Sequence, residues 1–391
     1  MKLKTIIGIT ARAATILCLS WDSAMAGVAA QRDIAQFDRA HPAAGITVTN
    51  GVKWIDGKLL PLEGRAFDNT RAYYDRLPTG ISTNVNANVR GVLTWHTAGM
   101  QFRFATNSRK LVFRWKPAYP MLDRWHWPEA GVSGIDVYRF DAKRSKWLYE
   151  ATGKPKTDGG ELSLRWTPGT PCLVNLPLYN GVKEFSLGVE PNAEVYGLEP
   201  RKSGIGKPVV FYGTSITQGG CASRPGMSFV NIIGRDLDVP VVNLGFSGSG
   251  FMEYELSDII AQIDASCYVL DCLTNMDGGK RPKVKDNYEP FIRNLRAKRP
   301  DVPIVMAGMP DVRQRGPNGK DKFVKALYDT LVAEGWKNIV WLPKDEMFTD
   351  DFEGTVDGTH ANDWGMMALA KAYGNAVKQA LGLPRKAQTG R

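Results

Sequence analysis

The chain has 391 residues, more than one hydrophobic core usually serves, so two domains are expected. A hydrophobic fraction of 43% with 10% aromatic residues excludes a largely disordered protein. The formal net charge is +10, but the lysines and arginines are scattered and accompany no nucleic-acid-binding motif. The charge therefore indicates a basic solvated surface and no nucleic-acid partner.

Residues 1–26 are predicted to be a signal peptide. Two lysines precede an apolar stretch that ends just before the small-residue site Ala24-Met25-Ala26. Arg12 interrupts this stretch, which leaves an uncleaved amphipathic helix as the alternative. The residue before Cys18 is not small, which disfavours a lipid anchor. No later stretch reaches the ~20 apolar residues of a membrane span, so we expect an exported protein, periplasmic or extracellular.

Residues 45–197 are predicted to form an all-β domain, a jelly roll or sandwich. Apolar and polar residues alternate in short runs, with turn residues about every ten positions. Eight of the eleven tryptophans precede residue 200, and most of them are expected in the core of this domain. The alternating runs that predict strands are residues 91–95, 111–115, 134–140 and 161–166.

Residues 198–207 suit an interdomain linker, and residues 208–383 are predicted to form the second domain. Buried-type strands alternate there with longer amphipathic segments, which predicts a three-layer α/β/α fold with a flavodoxin-like, five-stranded parallel sheet. In such a sheet the reacting groups lie on loops at the carboxyl ends of the strands. The predicted strands are residues 209–212, 241–244, 268–270, 304–306 and 339–342, and the predicted helices are residues 227–237, 287–298, 321–334 and 364–381.

Ser215 directly follows the first of these strands, in the run Tyr-Gly-Thr-Ser-Ile-Thr-Gln-Gly-Gly of residues 212–220. A serine between a strand and a helix, flanked by glycines, is held exposed above the sheet. The helix that follows is expected to favour developing negative charge at its N-terminus. The alternative is a phosphate-binding loop. No Lys-Ser or Lys-Thr pair closes the run as in a P-loop, which disfavours a nucleotide-binding site.

Two further loops follow strands of the same domain. Residues 243–250 are rich in glycine, and Gly248 is a natural backbone donor to an oxyanion. Residues 271–275 end in Asn275, whose side-chain amide is a known type of oxyanion-hole donor.

Asp357 and His360 precede the last predicted helix and are candidates for an orienting carboxylate and a general base. A hydroxyl becomes a good nucleophile when an imidazole takes its proton, and a carboxylate fixes the tautomer of that imidazole. The chain has four histidines, and only His360 lies in the α/β domain; the others are His41, His96 and His126. A base for Ser215 is therefore expected to be His360.

The ordered set Ser215, Gly248, Asn275 and His360 resembles the four blocks of the SGNH/GDSL hydrolases. Thr214 stands where the family's first block has Asp, which is typical of a subgroup that reads Gly-Thr-Ser-Ile-Thr-Gln-Gly. That subgroup also carries an N-terminal β domain with a Gly-x-Asp-Leu-Tyr signature, which residues 134–138, Gly-Ile-Asp-Val-Tyr, resemble. The resemblance covers roughly residues 50–382.

The resemblance implies a serine esterase that works through an acyl-enzyme. Ser215 attacks an ester carbonyl after His360 takes its proton, and Asp357 orients His360. The Ser215 amide, the Gly248 amide and the Asn275 side chain hold the oxyanion, and water then releases the acyl group. No metal and no organic cofactor is implied.

The substrate is less determined by the sequence. Trp125, His126 and Trp127 are candidates for a substrate-binding rim, with packing between the domains as the alternative. Arg224 is expected to contact an anionic sugar or to pair with a neighbouring acid. No long apolar lid is evident, which favours small acyl groups, such as acetyl, on a small-molecule or polysaccharide carbohydrate.

Three alternatives stay open at this stage. The first is a lipid or thioester acylhydrolase that uses the same site, and the second is a carbohydrate-binding protein with little catalysis. The third treats the β domain as a protein-interaction module. The oligomeric state is not determined by the sequence, and four cysteines permit either disulfides or buried free thiols: Cys172, Cys221, Cys267 and Cys272.

Overall fold

The structure is a computed structural model that describes residues 45–276, 284–309, 318–347 and 353–384. The predicted signal peptide lies outside these residues. No helix in the described ranges is both long and apolar enough to cross a membrane.

The first part of the chain is an antiparallel β-sandwich, as predicted. One sheet has the strand order β1-β2-β10-β5-β8, and the other has the order β11-β4-β9-β6-β7 with β3 paired to β4. The strands are β1 (Ile46–Thr49), β2 (Val52–Asp56), β3 (Leu62–Glu63), β4 (Gln101–Thr106), β5 (Lys110–Pro117), β6 (Ile135–Asp141), β7 (Lys146–Gly153), β8 (Gly160–Arg165), β9 (Cys172–Asn175), β10 (Val182–Val189) and β11 (Val195–Gly197).

The core of the sandwich lies between these two sheets. Because side chains alternate between the faces of a strand, every second residue of β5 points inward, and Leu111, Phe113 and Trp115 are buried there. Phe102 and Val174 from the other sheet belong to the same cluster. The alternating runs predicted at 111–115, 134–140 and 161–166 coincide with β5, β6 and β8.

The prediction of a strand at residues 91–95 is wrong. A short helix, α1 (Ala87–Arg90), ends just before these residues, and Leu93–Trp95 form a 3₁₀ turn. The Gly91 amide closes the helix on the Ala87 carbonyl at 2.9 Å, and the Leu93 carbonyl accepts a hydrogen bond of 2.6 Å from the buried guanidinium of Arg76. These backbone groups have partners outside any sheet, so alternation alone was a misleading signal.

The second part of the chain is the predicted three-layer domain. Its five strands are parallel and have the order β13-β12-β14-β15-β16, which is flavodoxin-like. The strands are β12 (Val209–Gly213), β13 (Val241–Gly245), β14 (Cys267–Asp271), β15 (Ile304–Ala307) and β16 (Ile339–Leu342). The helices of the chain after α1 are α2 (Glu129–Ser133), α3 (Ser215–Gln218), α4 (Phe229–Leu237), α5 (Tyr254–Ile260), α6 (Val284–Lys298), α7 (Gly319–Ala333) and α8 (Asp363–Leu381).

The parallel sheet is buried on both faces, which explains its continuous apolar strands. Val210 and Tyr212 of β12 pack in one cluster with residues of α6 and α7, whereas Val209 and Phe211 pack on the other face with residues of α4 and α8. The four predicted helices correspond to α4, α6, α7 and α8; helix α5 was not predicted. Since β12 lies between β13 and β14, the loops after β12 and β14 meet at the point where the strand order reverses, where α/β proteins commonly bind ligands.

Candidate active site

Ser215 stands on a tight turn at the carboxyl end of β12. The turn continues into α3, and Thr214 is the N-cap, with its hydroxyl oxygen accepting a hydrogen bond from the Ile216 amide at 3.4 Å. Thr214 therefore serves the capping role for which Asp is equally suited. Helix α3 has four residues, so the expected contribution of a helix dipole is small, and any oxyanion stabilisation here depends on individual N–H groups.

Ser215, His360 and Asp357 form a continuous hydrogen-bonded line. Ser215 Oγ lies 2.9 Å from His360 Nε2, and His360 Nδ1 lies 2.7 Å from Asp357 Oδ2. Asp357 Oδ1 accepts hydrogen bonds from the amides of Thr359 at 2.9 Å and His360 at 2.8 Å. This network assigns the His360 proton to Nδ1 and directs the lone pair of Nε2 at the serine hydroxyl.

The Asp357 carboxylate is ionised in this setting. Partial burial opposes its charge, but hydrogen bonds from the backbone and ring of His360 outweigh burial and lower the pKa of Asp357 to about 2. The carboxylate is therefore charged at neutral pH and can stabilise an imidazolium at His360.

Gly248 and Asn275 lie on loops that pack against the Ser215 turn. The Phe246 amide donates to the Gly213 carbonyl at 3.0 Å, which ties the loop after β13 to the end of β12. Asn275 Nδ2 donates to the Ser249 carbonyl at 2.7 Å, which ties the loop after β14 to the same place. The structure thus brings both predicted oxyanion residues to the edge of the sheet that carries Ser215. Gly248 has φ = +66°, a conformation that favours glycine.

Residues 124–127 of the sandwich reach over to His360 and Asp357. Arg124 and Trp127 form a two-residue β-bridge that presents the residues between them at its tip. Trp127 is buried, and its ring centroid lies 4.1 Å from that of Tyr179 and 5.5 Å from that of His360. Trp125 is 86% exposed and packs against His126 with a centroid distance of 4.0 Å and an angle of 34° between the rings. Trp127 thus packs between the domains, whereas Trp125 is presented to solvent.

His126 is a second imidazole beside Asp357 and His360. Its Nε2 lies 3.6 Å from Asp357 Oδ2, the oxygen that also accepts the hydrogen bond from His360. Burial is the largest influence on His126 and, with the neighbouring His360 and Arg124, lowers its pKa below the usual value despite the attraction of Asp357. His126 is therefore neutral at neutral pH.

Arg224 pairs with an acid of the sandwich. Its Nη1 lies 2.8 Å from Asp136 Oδ2 and also donates to the Tyr138 hydroxyl. Asp136 Oδ2 accepts the Gly226 amide at 2.8 Å as well, and Asp136 Oδ1 accepts from Asn175 Nδ2 at 2.8 Å. Of the two expectations for Arg224, pairing with an acid is what the structure shows; contact with an anionic sugar stays a prediction. Asp136 is the aspartate of the Gly-x-Asp-Leu-Tyr-like motif, so this motif anchors one domain to the other.

Two further residues, which no sequence motif marks, also hold the site. Tyr179 of the sandwich donates from its hydroxyl to the Ser215 carbonyl at 2.6 Å. Arg76 is buried and donates from Nη1 to the carbonyls of Asn243 at 3.0 Å and Gly245 at 2.7 Å, at the carboxyl end of β13. No local sequence signal marks either residue, because each acts on a segment distant in the chain.

The four cysteines of the described residues are free thiols, and all of them are buried. Of the two alternatives that the sequence left open, free thiols are therefore the one that the structure shows. Cys221 lies in the turn after α3, and burial, together with the charge of Asp357, raises the pKa of its thiol to about 12.

Two family models match the chain. Residues 206–378 match the GDSL-like lipase/acylhydrolase family, and residues 52–195 match the GxDLY domain, described as the N-terminus of SGNH-hydro-type esterases. The comparison with curated proteins found no match.

Several solved structures share the fold. A GDSL-like lipase from Bacteroides ovatus is 29% identical, with a TM-score of 0.74 over 86% of this chain and 100% of the other. The salicylyl-acyltransferase SsfX3 from a tetracycline biosynthetic pathway is 18% identical, with a TM-score of 0.66 over 86% of this chain and 99% of the other. A family two carbohydrate esterase from Clostridium thermocellum is 14% identical, with a TM-score of 0.54 over 73% of this chain and 93% of the other.

The two models follow each other along the chain and divide at the same place as the two folds, and the B. ovatus protein matches across both. The chain belongs to the SGNH/GDSL hydrolases, a family of carboxylic ester hydrolases, and to their subgroup with an N-terminal GxDLY domain.

Proposed function

We propose that the protein is an exported serine esterase that removes small acyl groups, most simply acetyl, from carbohydrate. The observation that carries the catalytic part is the line from Ser215 Oγ through His360 to Asp357, with distances of 2.9 and 2.7 Å. Such a line supplies a nucleophile, its base and the carboxylate that fixes the base.

The reaction has two halves. His360 Nε2 takes the hydroxyl proton as Ser215 Oγ attacks the ester carbonyl carbon, and the same proton then passes to the leaving alcohol as the acyl-enzyme forms. In the second half His360 takes a proton from water, the hydroxide attacks the acyl carbon, and Ser215 recovers its proton as the carboxylic acid leaves. The amides of Ser215 and Gly248 and the side chain of Asn275 are the proposed donors to the oxyanion.

The proposal that the substrate is a carbohydrate is supported by the aromatic loop that carries Trp125, His126 and Trp127. Trp125 presents an exposed indole beside the triad, and a flat aromatic face is suited to stacking on a sugar ring. The carbohydrate esterase from C. thermocellum, whose structure was determined with cellohexaose, shares the two-part fold, but at this identity the likeness concerns the fold alone.

Product analysis tests both parts. The full chain is incubated with acetylated and methyl-esterified polysaccharides, and acetate and methanol are quantified. Release of acetate that is lost in Ser215→Ala is the expected result. Undiminished hydrolysis by Ser215→Ala would overturn the catalytic assignment, and a strong preference for long acyl chains on p-nitrophenyl esters would favour a lipid or thioester acylhydrolase instead.

A further inference from the structure

A cluster of two imidazoles and a thiol lies against the triad. The ligand atoms offered by His126, Cys221 and His360 all lie within 4.8 Å of one another. The three residues come from different places: the sandwich loop 124–127, the turn after α3 and the loop before α8. Only the docking of the sandwich on the α/β domain brings them together.

The chemistry of this cluster suits a thiophilic divalent cation. A cysteine sulfur and histidine nitrogens are the ligands that Zn²⁺ prefers, and a three-ligand set leaves the fourth tetrahedral position to water. Nδ1 of His126 is buried and, among the described residues, has no hydrogen-bond partner, whereas the other ring nitrogen faces Asp357. Tetrahedral zinc with bonds of about 2.0–2.3 Å needs ligand atoms about 3.3–3.6 Å apart, so side-chain movements on the order of 1 Å close the site.

A cation bound at this site would break a hydrogen bond between His360 and one of its two partners, Ser215 and Asp357. Both ring nitrogens of His360 are already used, Nε2 by Ser215 and Nδ1 by Asp357. A metal bound to either nitrogen replaces one of these hydrogen bonds, and with it either the base or its orientation is lost. The Cys221 proton leaves to solvent when the sulfur binds the metal, so the cation must compete with that proton, as expected for a reversible site.

We propose that His126, Cys221 and His360 form an inhibitory binding site for a thiophilic divalent cation such as Zn²⁺. The inhibitory part rests on the proposed function, because it supposes that His360 is the base; the binding part does not. Cys221 is the residue that distinguishes this site from any histidine-only or surface metal binding.

Two measurements on the full chain test the proposal. The first titrates Co²⁺ as a spectroscopic substitute for Zn²⁺ and records the near-ultraviolet thiolate-to-cobalt absorption band, which needs no turnover. The second measures hydrolysis of p-nitrophenyl acetate against Zn²⁺ concentration, with each variant normalised to its own rate in EDTA. We expect the band at one equivalent of Co²⁺ and inhibition that EDTA reverses.

Cys221→Ser is expected to abolish the thiolate band and to raise the half-inhibitory Zn²⁺ concentration by at least about tenfold. His126→Gln is expected to weaken both the binding of Co²⁺ and the inhibition by Zn²⁺. It replaces Cys221→Ser as the test variant if Cys221→Ser does not fold. Cys172→Ser is the matched control, since Cys172 is a buried thiol in the sandwich core, outside the cluster. The control is expected to keep the band and the wild-type inhibition.

Absence of the band in the wild type, or wild-type inhibition of Cys221→Ser, would overturn the proposal. A band that is lost in Cys221→Ser supports the site even if the protein hydrolyses no ester, in which case the proposed function fails alone. Hydrolysis that depends on Ser215 without any thiolate band leaves the proposed function intact and refutes the metal site.

Discussion

The side-chain amide of Gln218 donates a hydrogen bond of 2.8 Å to Nδ1 of His96 and so joins helix α3, which begins at Ser215, to the β-sandwich. The same nitrogen donates to the Leu178 carbonyl at 2.9 Å, and Gln218 Oε1 accepts the Ser247 amide at 2.9 Å, next to Gly248. Because Gln218 donates, His96 accepts through an unprotonated Nδ1. Burial, the largest cause, lowers the pKa of His96 well below its usual value and keeps the ring neutral.

Replacing Gln218 tests whether this junction positions the oxyanion loop. Gln218→Met leaves the Ser247 amide and the Leu178 carbonyl without their partner, so we expect the free energy of unfolding to fall by about 1–3 kcal/mol. We also expect kcat to fall more than KM rises, because the loop that carries Gly248 loses an anchor. Urea unfolding and p-nitrophenyl acetate kinetics measure these effects. Gln262→Met is the control, since the hydrogen bond of Gln262 to the Asp258 carbonyl is exposed; equal losses in both variants would contradict the prediction.

Removing the charge of Asp357 tests its role as the orienting carboxylate. In Asp357→Asn the amide favours the other tautomer of His360, with the proton on Nε2, so the base cannot accept from Ser215. We expect kcat to fall by about 10³–10⁴-fold, with little change in KM. Asp345→Asn removes an exposed carboxylate and is expected to leave kcat unchanged. An Asp357→Asn variant that keeps more than a tenth of wild-type kcat would refute the role.

Trp125 is expected to contribute to polysaccharide binding. Loss of an aromatic stacking contact is worth about 0.5–1.5 kcal/mol, so Trp125→Ala should raise KM for an acetylated polysaccharide by about two- to tenfold. The increase should exceed that for p-nitrophenyl acetate, which offers no sugar ring. Trp147→Ala, on edge strand β7, controls for the loss of an indole elsewhere on the sandwich. If both substrates respond equally to Trp125→Ala, the rim does not select carbohydrate.

Neutralising the buried carboxylate of Asp136 is expected to destabilise the folded protein. Its side chain is fully buried, and it holds Arg224, Gly226 and Asn175 at once. Asp136→Asn leaves the Arg224 guanidinium without its counter-charge, and we expect the free energy of unfolding to fall by about 3 kcal/mol. The measurement is urea unfolding at neutral pH.

Asp141→Asn, on the same strand β6, is the matched control for this variant. Asp141 pairs with Arg144 at the surface, where ion pairs contribute little, so its replacement should change stability far less. A loss in Asp136→Asn no larger than that in Asp141→Asn would show that the interdomain pair is not an anchor.

The buried carboxyl group of Asp271 is expected to make the free energy of unfolding depend on pH. It is buried at the end of β14, where it accepts the Thr217 hydroxyl at 2.6 Å, and burial raises its pKa to about 7. Between about pH 4 and pH 7 the folded state keeps a proton that the unfolded state has released, so this residue makes stability fall as the pH rises, by up to about 1.4 kcal/mol per unit. Above pH 7 its contribution is constant.

Asp271→Asn removes the titrating carboxyl group and with it the fall in stability between about pH 4 and pH 7. The stability of the variant relative to wild type should therefore increase from pH 5 to pH 7 and then level off, as measured by urea unfolding at pH 5, 6, 7 and 8. Asp345→Asn, an exposed control, should show no such trend. A difference between Asp271→Asn and wild type that stays the same at all four pH values would contradict the assignment.

The sequence alone was enough to predict the fold of both parts and the residues at the strand ends. Alternating and continuous apolar runs are local patterns, and they distinguish a half-exposed antiparallel sheet from a buried parallel one. Because parallel strands end at one edge of their sheet, residues after β12 and β14 were expected to meet, and Ser215 and Asn275 lie on adjoining loops. The scarcity of histidine then led to His360. At residues 91–95 the same local pattern failed, because the partners of that backbone come from elsewhere in the chain.

What only the tertiary structure decided is how the sandwich docks on the α/β domain. The pairing of Asp136 with Arg224, of Gln218 with His96 and of Tyr179 with Ser215 joins residues that lie 36 to 122 positions apart. No periodicity links such positions, since each contact depends on the packing of two separately formed cores. The same docking brings His126 to within 3.6 Å of Asp357.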